Sequence, residues 1–150
     1  ETAKRARAFE MTVIGYDPFV DDSEHVELKG LDAVLAESDY LSLHMPLTEE
    51  TKGMVNAELL ARCKRGVYIV NTGRGKCVDE KAMVAAIESG QVACYATDVW
   101  PSDPPPEDCP LTKLDRGVLM TPHIGASTAE NLLRIGDIIV SKIRDHVQSK

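Results

Sequence analysis

Apolar residues fall in short runs along most of the chain, and segments with helical spacing separate them. Glu1 to Phe9 has the spacing of a short amphipathic helix already under way at residue 1, and an apolar run from Met11 to Tyr16 closes on Asp17-Pro18. A weak extended piece, Val26 to Leu28, precedes a helical pattern from Leu31 to Glu37. Tyr40 to Met45 reads as a strand and stops at Pro46, which cannot continue a central strand. Asn56 is placed to cap a helix through Leu59, Leu60 and Cys63. Val67 to Val70 is a β-branched and aromatic strand that runs into Asn71-Thr72-Gly73-Arg74-Gly75. Asp79 caps a helix through Met83, Val84 and Ile87, which Gly90 ends. Val92 to Val99 and Val118 to Met120 are further strands. Between them, Pro101 to Pro110 holds five of the eight prolines and reads as a loop. Ser127 with Glu130 has the spacing of a capping box. It opens a last helix on which Leu132, Ile135, Ile139 and Ile143 share a face.

Strands of continuous apolar character separated by helices predict an α/β fold, with a parallel sheet covered on both faces. At 150 residues the chain has length for one domain with a sizeable core. Acidic residues outnumber basic ones 24 to 17, for a net charge of −7. That balance argues against a nucleic-acid or anionic-membrane surface. No apolar stretch approaches the roughly 18 residues that a membrane span requires. No signal core follows Glu1 to Arg5, which together with the acidic balance predicts a reduced, cytoplasmic protein. Cys63, Cys77, Cys94 and Cys109 form no CxxC pair and no metal-ligand spacing, so they read as small semi-buried hydrophobes.

Open parallel sheets bind ligands beyond the carboxyl ends of their strands. Asp17, His44, Asn71 to Arg74, Asp98 and His123 all fall at such ends. Each alone suits a turn, a helix cap or a packed ring, but together on one edge they define a shared site. Gly73 and Gly75 would let the backbone approach a ligand closely or take a positive φ, with the Arg74 fork free to grip a carboxylate. A histidine beside such a clamp is suited to donate or accept a proton near neutral pH. Asp98, Asp103 and Asp108 are the carboxylates available to fix its tautomer.

Tyr16-Asp17-Pro18, His44-Met45-Pro46-Leu47-Thr48, Val70 to Gly75, Val78-Asp79-Glu80, Thr97-Asp98-Val99-Trp100 and Thr121 to Thr128 resemble the NAD-binding domain of the D-isomer-specific 2-hydroxyacid dehydrogenases. The segment His123 to Thr128 is most similar to D-3-phosphoglycerate dehydrogenases. The resemblance runs nearly the whole length of the chain. It implies a Rossmann-like doubly wound parallel sheet, the cofactor NAD, a small 2-hydroxy or 2-keto acid as substrate, and a homodimer. Residue by residue, it implies that Asp17 binds the adenosine ribose and that His44 and Pro46 line the cofactor cleft. Thr72 and Gly73 would lie beside the nicotinamide ribose, Asp98 would bind the carboxamide, and Gly125 would pack near the ring. Arg74 would hold the substrate carboxylate, and His123 would be the acid/base.

Two departures from the family pattern stand out. The carboxylate that partners the family's histidine is usually a glutamate, and here Asp103 is one methylene shorter. Pairing would then need the Pro101 to Pro106 loop to shift inward, or a bridging water. Formate dehydrogenases, which resemble this region, carry glutamine there. The ribose-binding acid normally follows a glycine-rich loop by about 20 residues, and Asp17 stands closer than that to residue 1. The expectation is therefore a sheet that lacks its first strand, with two unpaired edges or a gap between the strands ending at Asp17 and Met45. The helix from about residue 127 is expected to lead toward a separate substrate domain. The same motifs also suit a non-catalytic, NAD-responsive module such as the C-terminal-binding corepressors.

Overall fold

A computed structural model describes Glu1 to Ser149. In chain order the elements are α1 (Thr2–Ala8), β1 (Ile14–Gly15), β2 (Glu27–Leu28), α2 (Leu31–Glu37), β3 (Tyr40–Leu43) and α3 (Ala57–Arg62). They continue with β4 (Val67–Asn71), α4 (Glu80–Glu88), β5 (Val92–Thr97), β6 (Val118–Met120) and α5 (Ala129–Gln148). All strand pairs are parallel. The strands form a four-stranded sheet ordered β3-β4-β5-β6 and a separate two-stranded sheet of β1 and β2. No ladder joins β1 to β3 among the described residues, so the strands divide into two sheets at that point.

Local chemistry accounts for the helix starts. Asn56 Oδ1 accepts the Leu59 N–H at 3.0 Å, and Asp79 Oδ1 accepts the Lys81 and Ala82 N–H groups at 3.0 and 3.1 Å. Both caps satisfy donors that the first helical turn leaves orphaned. The capping box expected at Ser127 does not form. Thr128 is the cap instead, its hydroxyl accepting the Asn131 N–H at 3.2 Å, so α5 begins two residues past Ser127.

The core lies on one face of the four-stranded sheet. Ile69 and Met83 are fully buried, and Leu35, Leu60, Val67, Val92 and Tyr95 pack with them between the sheet and α2, α3 and α4. The expectation of a sheet covered on both faces fails on the other side. The register sets Tyr40 beside Tyr68, Tyr68 beside Cys94, and Ala96 beside Leu119. Tyr40, Tyr68 and Leu119 remain 60%, 45% and 66% exposed. The two tyrosine rings stack with centroids 5.1 Å apart. Helix α5 buries no residue, so its stripe of Leu132, Ile135, Ile139 and Ile143 is exposed as well. No helix among the described residues is long and apolar enough to cross a membrane. Burial pushes the Cys63 and Cys109 thiols above their usual range, which suits packing rather than reactivity.

Gly75 marks the tightest backbone contact. A Cβ there would fall 2.2 Å from the Trp100 carbonyl carbon and 2.7 Å from the Pro101 nitrogen. Backbone cannot yield as a flexible side chain does. Gly75→Ala is therefore expected to destabilise the fold by about 1–3 kcal/mol or more, as overpacking does. Gly136, in exposed α5, meets nothing within 4 Å. Gly136→Ala should leave stability unchanged or raised by up to about 1 kcal/mol. Urea unfolding of the two variants checks both signs.

Candidate active site

The parallel ladders bring the carboxyl ends of β3, β4, β5 and β6 to one edge. There the Asp98 N–H donates to the Asn71 carbonyl at 3.2 Å, and the Thr121 N–H donates to the Thr97 carbonyl at 3.0 Å. A Cβ on Gly73 would lie 3.3 Å from the Leu43 and Met45 carbonyl oxygens. Four strand ends are thus in contact or bonded in sequence.

Asp98 organises the loop after β6. Its Oδ1 accepts the Thr121 hydroxyl at 2.5 Å and the Ile124 N–H at 2.9 Å, and its Oδ2 accepts the Gly125 N–H at 2.8 Å. A Cβ at Gly125 would sit 2.8 Å from that Oδ2, so glycine permits the approach. The Thr121 hydroxyl first, and then the two backbone donors, hold the Asp98 carboxyl below its usual range against the opposing effect of burial. Trp100 Nε1 donates to the Thr121 carbonyl at 3.0 Å and fixes the same loop from inside.

Between these anchors His123 takes φ +57°, in the left-handed region. That conformation is uncommon for a residue with a side chain, though histidine is among those that tolerate it best. The ring meets Asp103, with Nδ1 2.7 Å from Oδ2. The shorter carboxylate therefore reaches the histidine directly, without a bridging water. Of the three candidate carboxylates, Asp98 is committed to the His123 loop and Asp103 to the ring. Asp108 lies elsewhere, in a cleft of about 640 Å³ with Lys52, Lys76 and Glu80. Trp100, Asp103, Pro104, Pro105, Pro122 and His123 line a separate cleft of about 360 Å³.

The other candidates are more dispersed. Arg74 is exposed, and its guanidinium donates to the Gly73 carbonyl at 2.8 Å. Neither flanking glycine has a positive φ among the described residues. Their role is close packing of the chain against itself, at β3 for Gly73 and at Trp100 for Gly75. His44 Nε2 pairs with Ser42 Oγ at 2.9 Å, and the Pro46 carbonyl accepts the Thr51 hydroxyl at 2.7 Å. Thr72 is exposed beside Gly73. Asp17 follows the first strand of the smaller sheet by two residues, and its Oδ1 accepts the Phe19 N–H at 2.9 Å. The anchoring by Thr121 and Trp100 was not legible beforehand. Its sequence signal is the Thr-Pro-His triplet directly after a strand end, opposite an Asp-Val-Trp triplet after the neighbouring one.

A parallel α/β sheet with its polar loops gathered at the carboxyl ends has the architecture of a dinucleotide-binding domain. Residues 1–125 match the family described as D-isomer specific 2-hydroxyacid dehydrogenase, NAD binding domain, and the chain belongs to that family. It is 46% identical over 147 residues to a D-3-phosphoglycerate dehydrogenase of Archaeoglobus fulgidus, covering 95% of this chain and 28% of that protein. To a hydroxypyruvate reductase of Thermotoga maritima it is 47% identical over 146 residues, covering 95% and 47% of the two chains. The chain thus spans less than half the length of these relatives. Among solved structures, a D-lactate dehydrogenase from Aquifex aeolicus complexed with NAD and lactic acid superposes with a TM-score of 0.85. It is 33% identical, and the match covers 98% of this chain and 49% of that one. An NAD-dependent formate dehydrogenase from Staphylococcus aureus, in complex with NAD, gives a TM-score of 0.86 at 34% identity, covering 96% and 44%.

The depressed Asp98 carboxyl has a pH consequence. A group whose folded pKa lies below its unfolded one stabilises the fold above the unfolded value and loses that effect as pH falls through the folded one. Asp98→Asn should therefore be less stable than the parent at neutral pH. The deficit should narrow as pH falls below about 4. Urea midpoints of both proteins across that range measure it, and a deficit independent of pH would count against the assignment.

Proposed function

We propose that the protein is an NAD-dependent D-2-hydroxyacid dehydrogenase, acting on 3-phosphoglycerate or a similar small hydroxyacid. The observation that carries this reading is the 2.7 Å pair of His123 and Asp103 in a cleft at the sheet's carboxyl edge. The residues present also suit the cofactor. Asp17 offers an exposed carboxylate just past β1, where a ribose hydroxyl would donate. Thr72, Gly73, His44 and Pro46 would supply further contacts to the cofactor, and Asp98 and Gly125 would bind and pack against the nicotinamide end. When bound, NAD supplies the hydride acceptor, and the chain supplies orientation and a proton path.

In this reading the Arg74 fork holds the substrate carboxylate through paired hydrogen bonds. Asp103 accepts from Nδ1–H, which leaves Nε2 facing the substrate as proton acceptor. The Nε2 atom takes the hydroxyl proton as the hydride leaves the carbon, and returns it in the reverse direction. The acidic balance and the free cysteines support a cytoplasmic setting. The exposed apolar stripe of α5 supports packing against a substrate domain, and the uncovered sheet face supports a homodimer.

Steady-state assays of the full-length protein with NADH and a panel of 2-keto acids test this. Turnover of at least one acid is expected. Turnover of none would favour an NAD-responsive binding module. His123→Ala should cut kcat by ~10²–10⁴-fold, the usual worth of general acid–base catalysis, with little change in NADH affinity. Equal losses in both would sink the role. Arg74→Lys should lower kcat/KM for the acid, because a point charge cannot replace the fork.

A further inference from the structure

The last residue of β4 is a polar side chain that the chemistry above does not use. Asn71 is 0% exposed. Its Oδ1 accepts the Gly73 N–H at 3.0 Å, and its Nδ2 donates to the Arg74 carbonyl at 3.1 Å and to Tyr95 Oη at 3.2 Å. Tyr95, on β5, is itself only 2% exposed. The Arg74 carbonyl also receives the Cys77 N–H at 3.2 Å, which ties the far side of the turn. The guanidinium, by contrast, reaches only the Gly73 carbonyl, so no other side chain fixes its direction among the described residues.

We propose that Asn71 is the positioning residue for Arg74, with Tyr95 as its backstop. One buried amide sets the path of the Thr72-Gly73-Arg74 turn and thereby the place from which the guanidinium meets a carboxylate. The proposal rests on the reading of Arg74 given above. The chemistry demands an amide in particular. The turn presents an N–H on one side and a C=O on the other, so the side chain between them must accept and donate at fixed positions. An aspartate would turn an oxygen toward the Arg74 carbonyl and bury a charge, and a leucine would leave the Gly73 N–H unpaired and the Arg74 carbonyl with only the Cys77 N–H. A sub-ångström shift at the strand end would be carried directly into the turn that reaches Arg74 three residues on, because the core beneath is close-packed and does not absorb it.

The test uses the full-length protein, with Asn71→Ser and Tyr95→Phe. The readouts are the preference for the best-used acid among 3-phosphohydroxypyruvate, glyoxylate, pyruvate and hydroxypyruvate over its amide, and amide hydrogen exchange at residues 72–76. A merely structural loss lowers activity on acid and amide alike, whereas a misplaced Arg74 removes the preference itself. Asn71→Ser is expected to lower that preference ~10-fold and to speed exchange at 72–76 by at least as much, the range that lost buried hydrogen bonds span. An unchanged preference overturns the proposal even if exchange rises. If Asn71→Ser does not fold, Tyr95→Phe decides: a ~3-fold fall in preference is expected for one lost hydrogen bond, and no change overturns the proposal. Should the parent protein use none of the acids, the reading of Arg74 fails separately. Exchange in Asn71→Ser then decides alone, and unaltered rates at 72–76 overturn the tether.

Discussion

The ladder between β4 and β5 sets Asn71 opposite Thr97, and the ladder between β5 and β6 sets Thr97 opposite Met120. Because all three strands run the same way, each releases its loop at the same edge and at nearly the same height. Arg74, Asp98 and His123 follow those three ends by a few residues each. An antiparallel sheet with the same residues would scatter them to opposite edges. The parallel register is therefore the constraint from which the site descends, and it rests on buried Val67, Ile69, Val92 and Tyr95 rather than on the polar residues themselves.

On that edge, position is set by hydrogen bonds inside the protein as much as by the strands. Asp98 gathers a hydroxyl and two backbone amides, and so holds a histidine in a backbone conformation it would rarely adopt alone. Strain of this kind typically costs ~1–3 kcal/mol and persists only where the surroundings over-determine it. Here they do so from two sides, through Asp98 at the loop's exposed side and through the Trp100 indole within.

Much of this could be read from residue order. The caps at Asn56 and Asp79 are local signals, and the structure places them as expected because a cap depends on its next three residues. Strand starts such as Tyr40, Val67, Val92 and Val118 coincide with the apolar runs for a similar reason. The uncovered sheet face was not legible. Tyr68, Val70, Cys94 and Ala96 make a run as apolar as a buried one, and no local pattern says which face receives a helix. The reach of Asp103 to His123 was not legible either. The reach of a side chain in a proline-rich loop depends on the path of that loop, which no local pattern states. Asn71 read as one polar residue among four, since its burial depends on Tyr95, which lies 24 positions away.

The contact of Gly75 with the Trp100 carbonyl has a consequence for how this surface can vary. Two backbone segments in contact, with no side chain between them, share a single boundary. Any change that displaces one must be accepted by the other, so effects at the two positions will not add. One of these segments carries Arg74 and the other leads to Asp103. Drift at Arg74 and drift at Asp103 are therefore coupled, and this edge can change only by paired substitutions.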